Sequence, residues 1–211
     1  MSRDFQQTHE KLLACAKKHF LEFGFERASI REICKDANVT NGAFYNHFAD
    51  KEALFGSLVE SVVQTIQKIY SESIDKHFDL VKTDELKNLW RLSESTIIQI
   101  IEYIYENFDV FRLLLMYSSG TKYAGFLDDL VRADVQETIK LIAELKARGV
   151  PVNDLDEDEW HMLVHSYYAS IAEIVMHNYP KPAALKYAHT LSVFSARAGK
   201  LFWGFNPQKF P

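Results

Sequence analysis

Residues 29–51 constrain this chain more than any other stretch. They read as two short helices, 29–37 and 40–48, around a tight turn, with a new helix starting at Asp50. Ser29 is placed to cap the first helix, with Glu32 three residues on as a capping box. Asn38 falls where the chain must turn, and Asn tolerates the left-handed conformation better than most residues. The Thr40 hydroxyl is placed to cap the second helix. The inward positions are apolar: Ile30, Ile33, Cys34, Ala37, Val39, Phe44 and Phe48. Such a pair is a helix-turn-helix, which lays its second helix in the major groove of DNA.

The rest of the 211 residues carries helical periodicity, with no strand-like alternation and no repeat. A first helix is expected over 5–23, stopped by Gly24. A long helix is expected from Asp50 to about residue 76, with Leu54, Leu58, Val62, Ile66 and Ile69 as its apolar stripe. Further helices are expected over 84–106, 110–117 and 126–148, the last closed by Gly149 and Pro151. The acids at 154 and 156–159 suit the start of another helix. Residues 160–176 hold one acid, Glu173, and no Lys or Arg, so that helix should be buried on more than one side. The final helix starts near Pro182. Its seam, Ala184, Ala188, Leu191, Ser195, Ala198 and Phe202, permits close helix approach, and it is a candidate for half of a four-helix dimer interface. The fold class is therefore all-α, with an N-terminal three-helix helix-turn-helix domain over 1–51 and a C-terminal helical bundle over 52–211.

The run from Ala37 through Asn38, Val39, Thr40, Asn41, Gly42, Ala43, Phe44, Tyr45, Asn46 and His47 to Phe48, then Asp50, Lys51, Glu52 and Leu54, resembles the DNA-binding signature of the TetR family of transcriptional regulators. Leu12, Leu13, Cys15, Ala16, Phe20, Gly24 and Phe25 are similar to that family's first helix. Asn38 departs from the Gly usual there, and His19 stands where Leu is common. The resemblance covers about the first quarter of the chain. It implies a homodimer joined through the last two helices, binding an inverted-repeat operator in double-stranded DNA. It also implies release by a small-molecule effector held in the C-terminal domain, most often giving repression.

With Phe44 and Phe48 turned inward, Thr40, Asn41, Gly42, Ala43 and Tyr45 are left toward the groove, and Asn46 is a further DNA-binding candidate. An Asn amide at 41 can pair with adenine N6 and N7, and Ala43 can touch a thymine methyl. Gly42 lets the backbone approach closely. By the resemblance, Tyr45, His47 and Lys51 contact phosphates, with Ser29 and Arg31 also placed for the backbone. The chain's net charge of -5 does not oppose this. Residues 1–51 carry eight Lys/Arg against seven Asp/Glu, so the acidic excess lies beyond them.

The effector site is less defined. Trp90, Tyr103, Phe108, Phe111, Tyr117, His165 and Tyr168 are candidates, although aromatic residues at helical spacing are as readily core. Glu102, Glu106 and Glu173 are possible partners for a cationic effector. His161 and His165 lie four apart with Glu157 one turn earlier, a spacing that needs a clear third ligand to hold a metal. Cys15 and Cys34 form no CxxC motif and read as packing thiols. No cofactor or catalytic residue is expected: there is no glycine-rich phosphate loop, GxSxG or HExxH. The polar N-terminus and the lack of an apolar run of about 20 residues argue for a cytoplasmic protein without a membrane partner. Two other classes remain open. A DNA-binding protein controlled by a protein partner should carry a further apolar surface patch, and an enzyme should reveal turnover.

Overall fold

The computed structural model describes residues 3–83, 85–153 and 155–202. All the regular structure among the described residues is helical. Two compact units form: Met1–Thr65 with Asn107–Phe126, and Ile66–Glu106 with Leu127–Pro211.

In the first unit, α1 (Arg3–Arg27) leaves helical geometry at Gly24, where φ is 75° and ψ is 166°. The break predicted there is real, and a last short turn follows it. Helix α2 spans Ile30–Asp36 and α3 spans Asn41–Phe44. Helix α4 (Lys51–Lys82) begins in this unit, and Asp50 Oδ1 caps it by accepting from Ala53 N at 2.7 Å. Leu12, Ala16 and Phe20 of α1 are buried, as are Leu54, Phe55 and Val59 of α4. Phe55 meets the rings of Phe20 and Phe25 edge-on, at 5.2 and 5.5 Å between centroids. Each such ring contributes about 1.5–3 kcal/mol by leaving water.

Helix α6 (Phe108–Met116) also belongs to this unit, which the chain order does not suggest. Lys17 pairs with Asp109 at 2.8 Å. Phe25 N donates to Tyr117 O at 3.0 Å, just past the Gly24 break. That bond satisfies a backbone donor freed where α1 stops being helical.

The second unit contains the rest of α4, α5 (Leu89–Glu106), most of α7 (Phe126–Ala147), α8 (Glu157–Met176) and α9 (Lys181–Phe202). A short 3-10 turn, Leu86–Asn88, precedes α5, so that helix starts later than expected. Gly149 at φ 74° and Asn178 at φ 53° take the left-handed conformation just beyond α7 and α8. Asp156 and Glu159 form a full capping box on α8, which gives the acidic run a local job. One apolar cluster gathers Val81, Leu86, Leu89, Leu141 and Leu145, and another gathers Val131, Val135, Ile142 and Trp160. Helix α9 packs on α5, where Glu94 meets His189 at 2.8 Å and Lys181 pairs with Glu102.

Ala184 and Ala188 are fully buried within their own unit, where α9 packs on α5, so these two seam residues are already covered within one chain. Leu191 and Ser195 are half-buried, while the side chains of Ala198 and Phe202 lie outside the described residues. Helix α8 is not covered all round. Ile171, Ala172, Ile174 and Val175 are buried, but Met162 is 67% exposed and Leu163 and Met176 are also exposed.

Candidate nucleic-acid interface

The helix-turn-helix is built from local chemistry. Ile33, Cys34 and Ala37 fix the inner face of α2. Asn38 then takes φ 55°, and Val39 N returns to Cys34 O at 2.8 Å. These are the marks of a left-handed turn closing a helix. Thr40 is extended, at φ -76° and ψ 153°, and its Oγ1 accepts from Ala43 N at 3.1 Å. Phe44 is fully buried and Phe48 nearly so, which pins the outer face of α3 toward solvent.

Two details differ from the sequence reading. Ser29 stands at the N-cap of α2 with extended backbone, but its side chain makes no capping hydrogen bond, so the capping box with Glu32 is not formed. Regular helix in α3 ends at Phe44, and the next three residues form turns. Asn46 N and His47 N still donate to Ala43 O and Phe44 O, at 3.1 and 2.9 Å. The helix continues as a tightened coil that lowers Phe48 into the core.

Seven of the ten expected DNA-facing residues are exposed: Ser29, Arg31, Thr40, Asn41, Gly42, Tyr45 and Asn46. Tyr45 leans edge-on against Phe44 at 5.2 Å yet stays 59% exposed, holding a phenol at the surface on a rigid base. A Cβ placed on Gly42 would meet only Thr40 Oγ1, at 4.0 Å, so the fold itself does not require glycine there. Ala43 is half-buried beside these residues.

His47 and Lys51 are more engaged than the sequence suggested. The His47 ring lies 4.0 Å from Phe5 and 5.6 Å from His9. Its Nδ1 is buried without a hydrogen-bond partner, and burial with the neighbouring His9 lowers its pKa. The Lys51 ammonium donates to Glu26 O and Ala28 O, both at 3.1 Å, and stands 4.5 Å over the Phe25 ring. Burial lowers its pKa, opposed by Glu26. Lys51 thus ties the end of α1 to the start of α4, leaving one ammonium donor for another partner.

The effector candidates divide between the units. Phe108, Phe111 and Tyr117 lie in the unit that holds the helix-turn-helix. Phe111 is core, and Tyr117 sits beside Gly24 and under the Arg112 guanidinium. Tyr103, His165 and Tyr168 belong to the other unit and are half-buried, and the Trp90 side chain lies outside the described residues. His161 and His165 stack with ring centroids 6.0 Å apart, while Glu157 accepts from Gln136 at 2.9 Å. Among the described residues no three metal-ligating side chains converge. Cys34 is buried, and burial raises its thiol pKa, which suits a packing role.

Sequence reading missed a polar knot in the second unit. Tyr70 Oη donates to Asp134 Oδ1 at 2.8 Å, and burial raises the pKa of that carboxylate. The available signal was an acid lying between Val131 and Val135 on the apolar stripe of α7. In the same unit, Ser73 Oγ meets Thr96 Oγ1 at 2.9 Å, and His77 bridges Ser73 O and Ser93 Oγ at 2.7 and 3.0 Å.

Residues 12–58 match the family model of the bacterial regulatory proteins of the tetR family. The transposon Tn10 TetC protein of Escherichia coli is 33% identical over 104 residues, which is 49% of this chain and 48% of that protein. The A-factor receptor protein of Streptomyces griseus is 39% identical over 61 residues, 29% of this chain and 22% of that protein. The chain therefore spans about half or less of the length of these curated relatives. A TetR family transcriptional regulator from Chloroflexus aurantiacus J-10-fl shares the fold at a TM-score of 0.56, covering 93% of this chain and 97% of that one at 16% identity.

Proposed function

Because this chain belongs to the TetR family of bacterial regulatory proteins, we propose that it is a transcriptional repressor that binds an inverted-repeat operator as a homodimer and is released by a small-molecule effector. The observation that carries this reading is the capped, outward-facing α3. Phe44 is anchored in the core while Asn41, Gly42 and Tyr45 stand free on the opposite side. Asn41 reads a base edge, Gly42 lets the backbone approach, and Ala43 touches a thymine methyl. Thr40, Tyr45 and Asn46 hold the surrounding backbone with Ser29, Arg31, His47 and Lys51, which positions without specifying.

Residues 1–51 bear the DNA contact, and 52–211 bear effector binding and dimerisation. Support for a dimer comes from apolar side chains left uncovered on α8, α9 and the connection between them: Met162, Leu163, Met176, Tyr179, Tyr187, Val193 and Phe194, the last 69% exposed. Exposed apolar groups on neighbouring helices mark association surfaces. A two-fold dimer presents two recognition helices to two half-sites, which is why the operator is an inverted repeat. An effector releases DNA only by binding one dimer state more tightly than the other. Such a regulator acts in the cytoplasm, needs no cofactor and catalyses no reaction. No described helix is long and apolar enough to cross a membrane.

Selection of bound sequences from random duplexes, with light scattering on the complex, tests the reading. An enriched inverted repeat bound by two chains is expected. Salt-sensitive binding with no sequence preference, or one chain per site, would overturn it.

A further inference from the structure

Two rings of α1 hold the last polar side chain of the recognition segment. Phe5 and His9 stand one turn apart on α1, with ring centroids 4.0 and 5.6 Å from that of His47. His9 also stacks on Phe48 at 4.7 Å, the planes 24° apart. Phe48 is core, so the stack fixes His9, and His9 in turn fixes one side of His47. Regular helix has already ended at Phe44, and the His47 backbone is tied only into a turn, through donation to Phe44 O at 2.9 Å. The placement of its ring therefore comes from α1.

Both histidines are half-buried, and each buries Nδ1 without a hydrogen-bond partner. A proton on either Nδ1 would find no acceptor. A second positive charge in the pair would face the first across 5.6 Å between ring centroids. Among the described charged and titratable groups of α1, α2, α3 and α4, His9 is the one that acts on His47, and no carboxylate offsets it. His19, the other histidine of this unit, is paired with Asp36 at 2.7 Å. Burial first, and His9 second, lower the His47 pKa, so the free chain keeps that ring neutral near pH 7. A phosphate oxygen brought against the ring supplies the missing negative charge and raises the pKa again. A group whose pKa rises on binding makes binding take up protons.

We propose that His9 is a positioning residue for operator binding: with Phe5 it clamps the His47 imidazole at the DNA face, and the His9–His47 pair makes operator binding tighten as pH falls. The proposal rests on the regulatory reading above, which supplies the duplex. Two chains on one operator bring two such pairs, so their proton uptake is read together. Acid loosening of the fold has the opposite sign. Burial lowers the His77 pKa as well, so protonation there favours unfolding and would weaken binding.

The test is titration of the selected operator duplex with the full chain, followed by fluorescence anisotropy from about pH 7.5 to about pH 6. Ionic strength is held constant because phosphate contacts depend on it. The dissociation constant should fall about tenfold over that range. Calorimetry near the ordinary histidine value of 6.5, in two buffers of different ionisation enthalpy, should show net proton uptake. His47→Gln should flatten the pH profile, and His19→Gln should keep it. His9→Phe leaves a ring to stack on Phe48 and removes the like charge, so its profile should move to higher pH by about half a unit. His9→Ala removes the clamp as well and should weaken binding at every pH. A His9 that only filled space would give parallel curves with one midpoint. Affinity independent of pH with no proton uptake, full pH dependence in a folded His47→Gln chain, or an unshifted His9→Phe midpoint would each overturn the proposal. The proton count on the unsubstituted chain decides the matter even if a variant fails to fold. Absence of sequence-specific binding at any pH would remove the regulatory reading and this proposal with it, whereas specific binding that ignores pH removes the proposal alone.

Discussion

Thr40 and Ala43 are joined by the hydrogen bond that starts the recognition helix: Ala43 N donates to Thr40 Oγ1 at 3.1 Å. Regular helix here lasts only four residues, so this bond accounts for much of what orders the segment. Thr40→Ala should lower unfolding free energy by about 1 kcal/mol, within the usual range for a lost N-cap. Thr40→Ser should restore most of it, because the hydroxyl and not the methyl carries the effect. Urea unfolding of the three chains checks this, and equal losses in the Ala and Ser chains would remove the cap as the cause.

Gly56 and Tyr123 make a second, tighter relationship. A Cβ at Gly56 would lie 3.0 Å from Tyr123 Oη, whose hydroxyl donates to the Glu60 carboxylate. That donation is the leading reason the Glu60 pKa is lowered. Gly56→Ala should therefore destabilise by about 1–3 kcal/mol, the usual cost of overpacking. With Tyr123→Phe the obstructing oxygen is gone. The same change should then stabilise by up to about 1 kcal/mol, the helix preference of Ala over Gly. The remaining ring atoms, at 3.7 and 3.8 Å, are ordinary contacts. A double-mutant cycle by denaturant unfolding reads the reversal of sign, and an unchanged sign would refute it.

The helix-turn-helix was legible in the sequence because its determinants are local. Asn38, Thr40, Phe44 and Phe48 each act within a turn or two of themselves, and the structure gives each the conformation or burial expected. What sequence could not supply was the distant partner. Nothing periodic announces that Phe25 N will bond Tyr117 O, so the membership of residues 107–126 in the N-terminal unit was hidden. Ala184 and Ala188 did announce a close helix approach, but small size carries no address. The approaching helix is α5 of the same chain. Asp134 was readable as an acid on an apolar stripe, whereas its bond from Tyr70 depends on α4 and α7 meeting.

His77 makes stability depend on pH. Its ring is held between Ser73 O and Ser93 Oγ, and burial lowers its pKa more than the Ser73 bond raises it. The folded state thus resists protonation while the unfolded state accepts it near the ordinary histidine value of 6.5. By linkage, stability is full above about pH 6.5 and falls as pH drops from there toward the folded value. His47, whose pKa is also lowered, adds in the same sense. His77→Gln should show a smaller loss between pH 7.5 and 5.5 than the unsubstituted chain in urea unfolding. Identical losses would place the dependence elsewhere.

Asn41 and Lys51 separate reading a sequence from holding a backbone. Asn41 is exposed and belongs to no described core, so Asn41→Ala should change unfolding free energy by less than about 0.5 kcal/mol. On the selected operator it should erase about 1–3 kcal/mol of discrimination at one base pair per half-site and leave the other positions unchanged. Lys51 does two jobs. Losing an ammonium that donates to Glu26 O and Ala28 O should lower stability by about 1.5–3 kcal/mol. Losing its remaining donor from a phosphate should weaken every duplex alike and reduce the salt slope by about 0.9 per chain. Competition binding against singly substituted duplexes, repeated across salt concentrations, resolves both effects. An Asn41→Ala chain that weakens all duplexes equally would move base reading elsewhere on α3. A Lys51→Ala chain with an unchanged salt slope would leave Lys51 as an internal tie between α1 and α4, and the phosphate contact would then fall to Arg31 or Tyr45.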